Sequence, residues 1–291
     1  MLHIVDRLAP WLGPGQPPFA VATVVVASGS VPRPVGTAMA VRADGAVLGS
    51  LSGGCVEGAV HAAALDAIAS GTSHRETFGY SDDDAFAVGL SCGGTLDVHV
   101  QPVLPDDDAT RALHALAARA EPAPPVALVR RIDGGARTAV VGAAPAPAAA
   151  AAVARARGGG GGPDSLAAAA AQVVAVLRAG GTATVHAAHG GPGASPSAGR
   201  AAAPAPAGTG AGDACDAAEP VTLLVETRLP APRFLVCGAN DFAGALVRHV
   251  RLLGYRVTLV DAREVFADPR RFPEAEVVVE WPARCRAAAA A

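Results

Sequence analysis

The chain has 291 residues, with 23 basic and 26 acidic side chains and a formal net charge of −3. That balance gives no electrostatic case for nucleic acid or an acidic membrane as partner, and the length allows two domains, each with its own core. Every basic residue is arginine; without lysine, Schiff-base chemistry and a phosphate loop of the Gly-Lys-Ser/Thr type are excluded.

Residues 1–18 read as a short helix carrying Leu2, Val5, Leu8 and Leu12, stopped by a Gly/Pro cluster. The start, Met1 to Arg7, has no basic flank leading into an apolar core, and no stretch of about 18 strongly apolar residues follows anywhere. Five cysteines at irregular spacing suit free thiols in a reducing compartment, so the expected location is the cytoplasm. Phe19 to Ala27 is a near-continuous apolar run, the pattern of a buried strand. Pro32-Arg33-Pro34 then holds one arginine in a stiff loop, suited to a fixed anion contact or to solvent. Strands at Ala38–Arg42 and Ala46–Leu51 flank the turn Ala43-Asp44-Gly45.

The sharpest chemical signal follows. Gly49-Ser50-Leu51-Ser52-Gly53-Gly54-Cys55-Val56-Glu57 joins a strand to a helix over Val56–Ser70, and places Cys55 in the helix's first turn. Free N–H groups and the helix dipole favour a thiolate there. Glu57 suits the same dipole and could bond to the N–H groups of a ligand. Downstream, Gly89-Leu90-Ser91-Cys92-Gly93-Gly94 repeats the ingredients in reverse order. Either thiol could equally be a small buried hydrophobe beside turn glycines. Ser81-Asp82-Asp83-Asp84 reads as a solvated helix start rather than a cation site. In Thr95–Gln101 strict alternation turns Leu96, Val98 and Val100 inward and Asp97 and His99 outward. No His-x-x-x-His or Cys-x-x-Cys spacing supports zinc.

A helix over Asp106–Ala120 and a strand over Val126–Ile132 complete a thiol domain at 1–141. Residues 142–219 are dominated by Ala, Gly and Pro, low-complexity in part, with a helix expected from Pro163 to Leu177. This stretch faintly echoes the earlier unit, with a helix, Gly-Thr and a strand bearing a histidine, but without thiols. A third region, 220–291, opens with a strand over Pro220–Thr227. The linker Leu229–Pro232 follows, and then a Rossmann-like βαβ unit: Phe234–Cys237, Phe242–Leu253, Arg256–Val260. Gly238 in its turn and Asp261 at the end of its second strand stand where a nucleotide's phosphate and ribose are held, with Asp241 as the expected N-cap. The fold class is therefore α/β: a mixed N-terminal domain, then a parallel Rossmann-like domain that stops short of the usual strand number.

The motifs at 32–36, 49–57 and 89–94, with Cys237–Ala243, Gly254–Thr258 and Asp261–Arg263, resemble the xanthine dehydrogenase accessory (XdhC/CoxI) family. The resemblance covers about 20–103 and 220–282. It implies a cytoplasmic, dimeric maturation factor that binds molybdenum cofactor (molybdopterin or its dinucleotide form) and delivers it. The client would be an apo molybdenum hydroxylase such as xanthine dehydrogenase or carbon monoxide dehydrogenase, with a cysteine desulfurase as a further partner. Such a chain is a binding and delivery protein rather than a catalyst of turnover. Thiolates are apt soft partners for the metal, so Cys55 and Cys92 would approach it. The N–H groups of Gly53-Gly54 and Gly93-Gly94 would hold pterin or phosphate, with Arg33 as a further phosphate contact. The competing readings are an NAD(P)-dependent oxidoreductase resting on Gly238 and Asp261, and a dithiol redox protein using Cys55 and Cys92.

Overall fold

A computed structural model describes residues 1–80, 94–119, 123–134, 137–142, 146–158, 162–187 and 221–284. The chain divides into two units, Met1–Leu229 and Pro230–Ala291. The division falls at the Leu229–Pro232 linker rather than ahead of residue 220, because the strand at 221–228 pairs within the first unit.

That first unit holds two antiparallel sheets. One has the order β3-β2-β1-β5-β4, from β1 (Phe19–Gly29), β2 (Ala38–Arg42), β3 (Val47–Gly49), β4 (His74–Tyr80) and β5 (Gly94–Val103). The other has the order β7-β6-β9-β8, from β6 (Val126–Arg131), β7 (Thr138–Gly142), β8 (Thr182–Ala187) and β9 (Val221–Arg228). The sheets share a wiring of hairpin, helical segment, edge strand and a strand returning beside the first, with β3 added to the hairpin of the first sheet and two helices in the crossover of the second. The faint sequence echo is thus a structural one.

Helix α2 (Glu57–Ser70) covers one face of the first sheet with Val60, Ala64 and Ala67, and Gly71 ends it. On the other face lie α1 (Val5–Leu8), α3 (Asp108–Ala117) and the second sheet. Helix α3 starts where Asp107 accepts the N–H of Thr110 at 2.6 Å, a side-chain cap. The alanine-rich stretch after 142 is structural where described. Helices α4 (Ala146–Arg157) and α5 (Pro163–Ala179) lay mostly small side chains, with Val153 and Val173, against Val129, Val185 and Leu223 of the second sheet. Two covered faces explain why β1 is apolar almost continuously: neither side meets water over Phe19–Val25.

Between the sheets lies a polar layer. Arg130 donates to Glu226 at 2.7 Å and to Thr23 at 3.0 Å, and Gln101 donates to Thr138 at 3.1 Å. The α-amino group of Met1 also meets the Glu226 carboxylate. Burial raises the pKa of Glu226, but the Met1 ammonium and the Arg130 guanidinium outweigh it and hold it at about 2. His99 belongs to this layer at 1% exposure, not to the surface as alternation implied. Strict alternation assigns faces but cannot say that a second sheet covers the outer one. Asp97, nearer the strand's start, does face outward, where it binds Arg75 at 2.5 Å and Thr77 at 2.7 Å.

The second unit is a three-stranded parallel sheet ordered β10-β11-β12, from β10 (Arg233–Cys237), β11 (Arg256–Val260) and β12 (Glu276–Val278). Helix α6 (Asp241–Leu252) buries Ala243, Val247 and Val250 with Val236, Val257, Leu259 and Phe272. Among the described residues no helix is long and apolar enough to cross a membrane.

Burial, reinforced by the Arg130 guanidinium, pushes His99 down from 6.5 to about 3. The folded chain keeps the ring neutral, while the unfolded chain protonates it near 6.5. Its contribution is therefore whole above pH 6.5 and is lost as pH falls toward 3, by roughly 1.4 kcal/mol per pH unit. Denaturant titrations from pH 7 to 4 should show that slope in the wild type and a flatter one in His99→Gln. Equal slopes would place the acid-labile group elsewhere.

Candidate functional site

The loop from β3 to α2 is wound around one carboxylate. Glu57, the first residue of α2, accepts the N–H groups of Leu51 (3.1 Å), Ser52 (2.8 Å) and Gly53 (2.9 Å) at Oε1, and that of Gly54 (2.8 Å) at Oε2. The hydroxyls of Ser50 (2.7 Å) and Ser52 (2.6 Å) donate to the same group. Gly53 and Gly54 have φ of 91° and 133°, backbone that side-chain-bearing residues rarely adopt. Partial burial pushes the Glu57 pKa up, but the hydroxyls of Ser52 and Ser50 and the N–H groups of Ser52 and Gly53 prevail. They hold the carboxyl far below the usual carboxylate range.

This arrangement corrects two expectations. The N–H groups of Gly53 and Gly54 do not point to an external phosphate, because the chain's own carboxylate already occupies that nest. Glu57, in turn, receives six donors from its own loop and does not reach out to the N–H groups of a ligand. The serine hydroxyls that complete the nest carried no distinct signal in the sequence; only the acid in the helix's first turn hinted at it.

Cys55 is thereby fixed in place. Its N–H donates to the Ser52 hydroxyl at 2.9 Å, as does that of Val56 at 3.1 Å, and its thiol is free and exposed. The thiol stands at a narrow cleft of about 50 Å³ shared with Val31, Pro32, Phe78, Gly79 and Gly94. That volume suits a sulfur-sized group, not a ring system. Gly94 opens β5, opposite Gly29 on one side and Tyr80 on the other. A Cβ there would come within 2.6 Å of the Ser28 carbonyl oxygen, so the structure gives this glycine a packing reason. Cys92, Gly93 and the acidic run at 81–84 lie outside the described residues.

The two motif loops also border a larger cavity, of about 620 Å³, which takes in Arg33 to Thr37, Gly49 and Ser50. Arg33 is exposed on it and has no ion pair among the described residues.

In the second unit, Cys237, Gly238, Asp261, Arg263 and Trp281 line a cavity of about 340 Å³ at the carboxyl ends of β10 and β11. This is the position where open parallel sheets take ligands. Asp261, however, accepts the turn's own Ala239 N–H at 2.8 Å and the Arg263 guanidinium at 2.8 and 3.0 Å. The Arg263 guanidinium, aided by the Ala239 N–H, holds the carboxyl below the ordinary carboxylate range. The N-cap of α6 is Asn240, which accepts the Ala243 N–H at 2.9 Å, rather than Asp241. Asn240 has the extended backbone of a capping residue; Asp241 lies one step inside the helix, its carboxylate in water beside Arg271. Among the described residues no group of three or more His, Cys, Asp and Glu side chains could hold a metal ion.

Residues 14–79 match the family model of the XdhC and CoxI family, and residues 234–291 match that of the XdhC Rossmann domain. The molybdenum cofactor insertion chaperone PaoD of Escherichia coli (strain K12) is 40% identical over 88 residues, 28% of this chain and 27% of that protein. An uncharacterized protein of the same organism, YqeB, is 37% identical over 83 residues, 28% of this chain and 15% of its own length. The match thus spans about a quarter or less of these curated relatives. A crystal structure of a xanthine dehydrogenase from Bacillus halodurans superposes with a TM-score of 0.54 at 20% identity, covering 96% of this chain and 69% of that one. A likeness at that identity speaks to the fold.

In Glu57→Gln a single acceptor oxygen replaces two, and an amide donor turns toward N–H groups. The expected loss is about 2 kcal/mol in denaturant unfolding, with faster hydrogen exchange at Ser52, Gly53 and Gly54. Unchanged stability and protection would mean that the loop is held by something else.

Proposed function

From this kinship with the XdhC and CoxI family, we propose that the chain binds a molybdenum cofactor as cargo and delivers it to an apo-enzyme of the molybdenum hydroxylase class. One observation carries the reading: an exposed thiol, Cys55, displayed on a loop that Glu57 locks from within. A molybdenum centre bound by its own dithiolene sulfurs needs no cage of protein ligands; one or two further thiolates suffice, and soft metals favour them. Cys92 supplies the second thiolate.

The geometry gives less support to an NAD(P)-dependent oxidoreductase. A dinucleotide's pyrophosphate would need the N–H groups at the start of α6. Asp261 holds the Ala239 N–H of the turn ahead of that helix, Asn240 caps the helix through the Ala243 N–H, and Asp241 sets a negative charge at its mouth.

The test is anaerobic loading of the purified chain with molybdenum cofactor, followed by molybdenum and pterin quantification. Wild type should retain near-stoichiometric cofactor. Cys55→Ser should retain at most about a tenth while melting at the wild-type temperature, since its side chain is exposed and a thiol far outranks a hydroxyl for a soft metal. A folded wild type that retains neither molybdenum nor pterin would sink the reading.

A further inference from the structure

The cavity of about 620 Å³ beside the motif loops has a charge pattern that the thiol cleft does not explain. Three basic side chains line it: His3 and Arg7 from the first turns of the chain, and Arg33 from the Pro-Arg-Pro loop. Neither arginine has an ion-pair partner among the described residues, although acids lie close by. Asp6, next to Arg7, is taken by Arg228 through two bonds of 2.9 and 3.0 Å. Glu226, the one acid among the described lining residues, is held by Arg130 at 2.7 Å and by the α-amino group of Met1. Both acids are thus paired elsewhere, while the two arginines are not paired among the described residues. At His3 burial and the Met1 ammonium push the pKa below the ordinary value, Glu226 and a hydrogen bond with the Ala38 backbone oppose them, and Arg33 adds the weakest push downward.

The shape agrees with the charge. Gly36 lies so close to Thr182 of β8 that a Cβ would come within 2.6 Å of the threonine Oγ1, so the Pro-Arg-Pro loop is drawn onto the second sheet. The cavity forms at that seam, with Thr182 and Thr227 on one wall and Gly49 and Ser50 on the other. Both motif loops continue from it to the Cys55 cleft: residues 33–37 and 49–50 border the cavity, while 30–32 and Ser52, Cys55 and Val56 border the cleft.

We propose that this cavity is a phosphate-monoester site, with Arg7 and Arg33 as the charged donors and His3 beside them. Planar guanidinium forks match the oxygens of a phosphate in pairs, which is why two unpaired arginines on one concave wall favour that group. The site rests on the cofactor reading only for what carries the phosphate. Placed there, a pterin phosphate leaves the other end of the ligand to follow the shared loops toward Cys55.

Phosphate binding and cargo binding can be separated by experiment. Isothermal titration of the full chain with inorganic phosphate should saturate. Arg7→Gln and Arg33→Gln should each weaken it about five- to tenfold at unchanged melting temperature, whereas Arg155→Gln, an exposed arginine on α4, should not. Cys55→Ser should bind phosphate as the wild type does while losing molybdenum. No saturable binding, or equal affinity in all three arginine variants, would overturn the site. Phosphate binding that depends on Arg7 and Arg33, in a chain that retains no cofactor, would uphold the site and remove the cofactor as its ligand. Cofactor retention indifferent to both arginines would overturn the placement of the phosphate here.

Discussion

A carboxylate turned inward onto its own loop is the constraint from which the rest of the site follows. Glu57 collects four backbone N–H groups and two serine hydroxyls, so residues 50–56 have one arrangement rather than many. A loop with two adjacent glycines would otherwise be costly to order, because glycine loses the most backbone freedom on folding. Charge-assisted hydrogen bonds offset that cost, and the result is a thiol at a fixed point with no bond of its own to break before it meets a ligand. The donors that sequence logic assigns to cargo thus serve to place the group that meets it.

The second constraint lies between the sheets. Glu226 is the shared counter-charge of the buried Arg130 guanidinium and the Met1 ammonium, and removing it leaves uncompensated positive charge in the core. The same layer contains His99, whose ring nitrogens have no hydrogen-bond partner among the described residues, and the Met1 ammonium. Because Glu226 also borders the larger cavity, the pair that joins the two sheets removes an acid from that cavity's charge balance. Core electrostatics and surface electrostatics are therefore one problem in this unit.

In the second unit the signals for a nucleotide site and the groups that would engage one part company. The glycine turn, the helix it opens and the acid at the end of β11 stand where the sequence places them. Yet Asp261 bridges the turn and Arg263, and serves as the clasp of the βα connection. The spacing of a motif records where a side chain sits; only its bonds tell what it is free to do.

The sequence by itself determined the elements and their order. Apolar runs marked β1, β6 and β9, an acid and a glycine bounded α2, and the βαβ unit of the second region lies where period and turn residues put it. It also singled out Cys55 and Arg33, since a thiol after paired glycines and an arginine between prolines are local patterns. What it could not decide was partnership, because hydrogen bonds and covered faces join residues far apart in the chain. His99 is buried because β6 and β9 arrive more than twenty residues later to cover it. Arg7 and Arg33 line one cavity although they lie 26 positions apart in the chain, at the place where the loop near residue 36 meets the strand near 182. Glu57 looks inward because its first-turn position lies within reach of four N–H groups at once, a convergence that exists only in three dimensions.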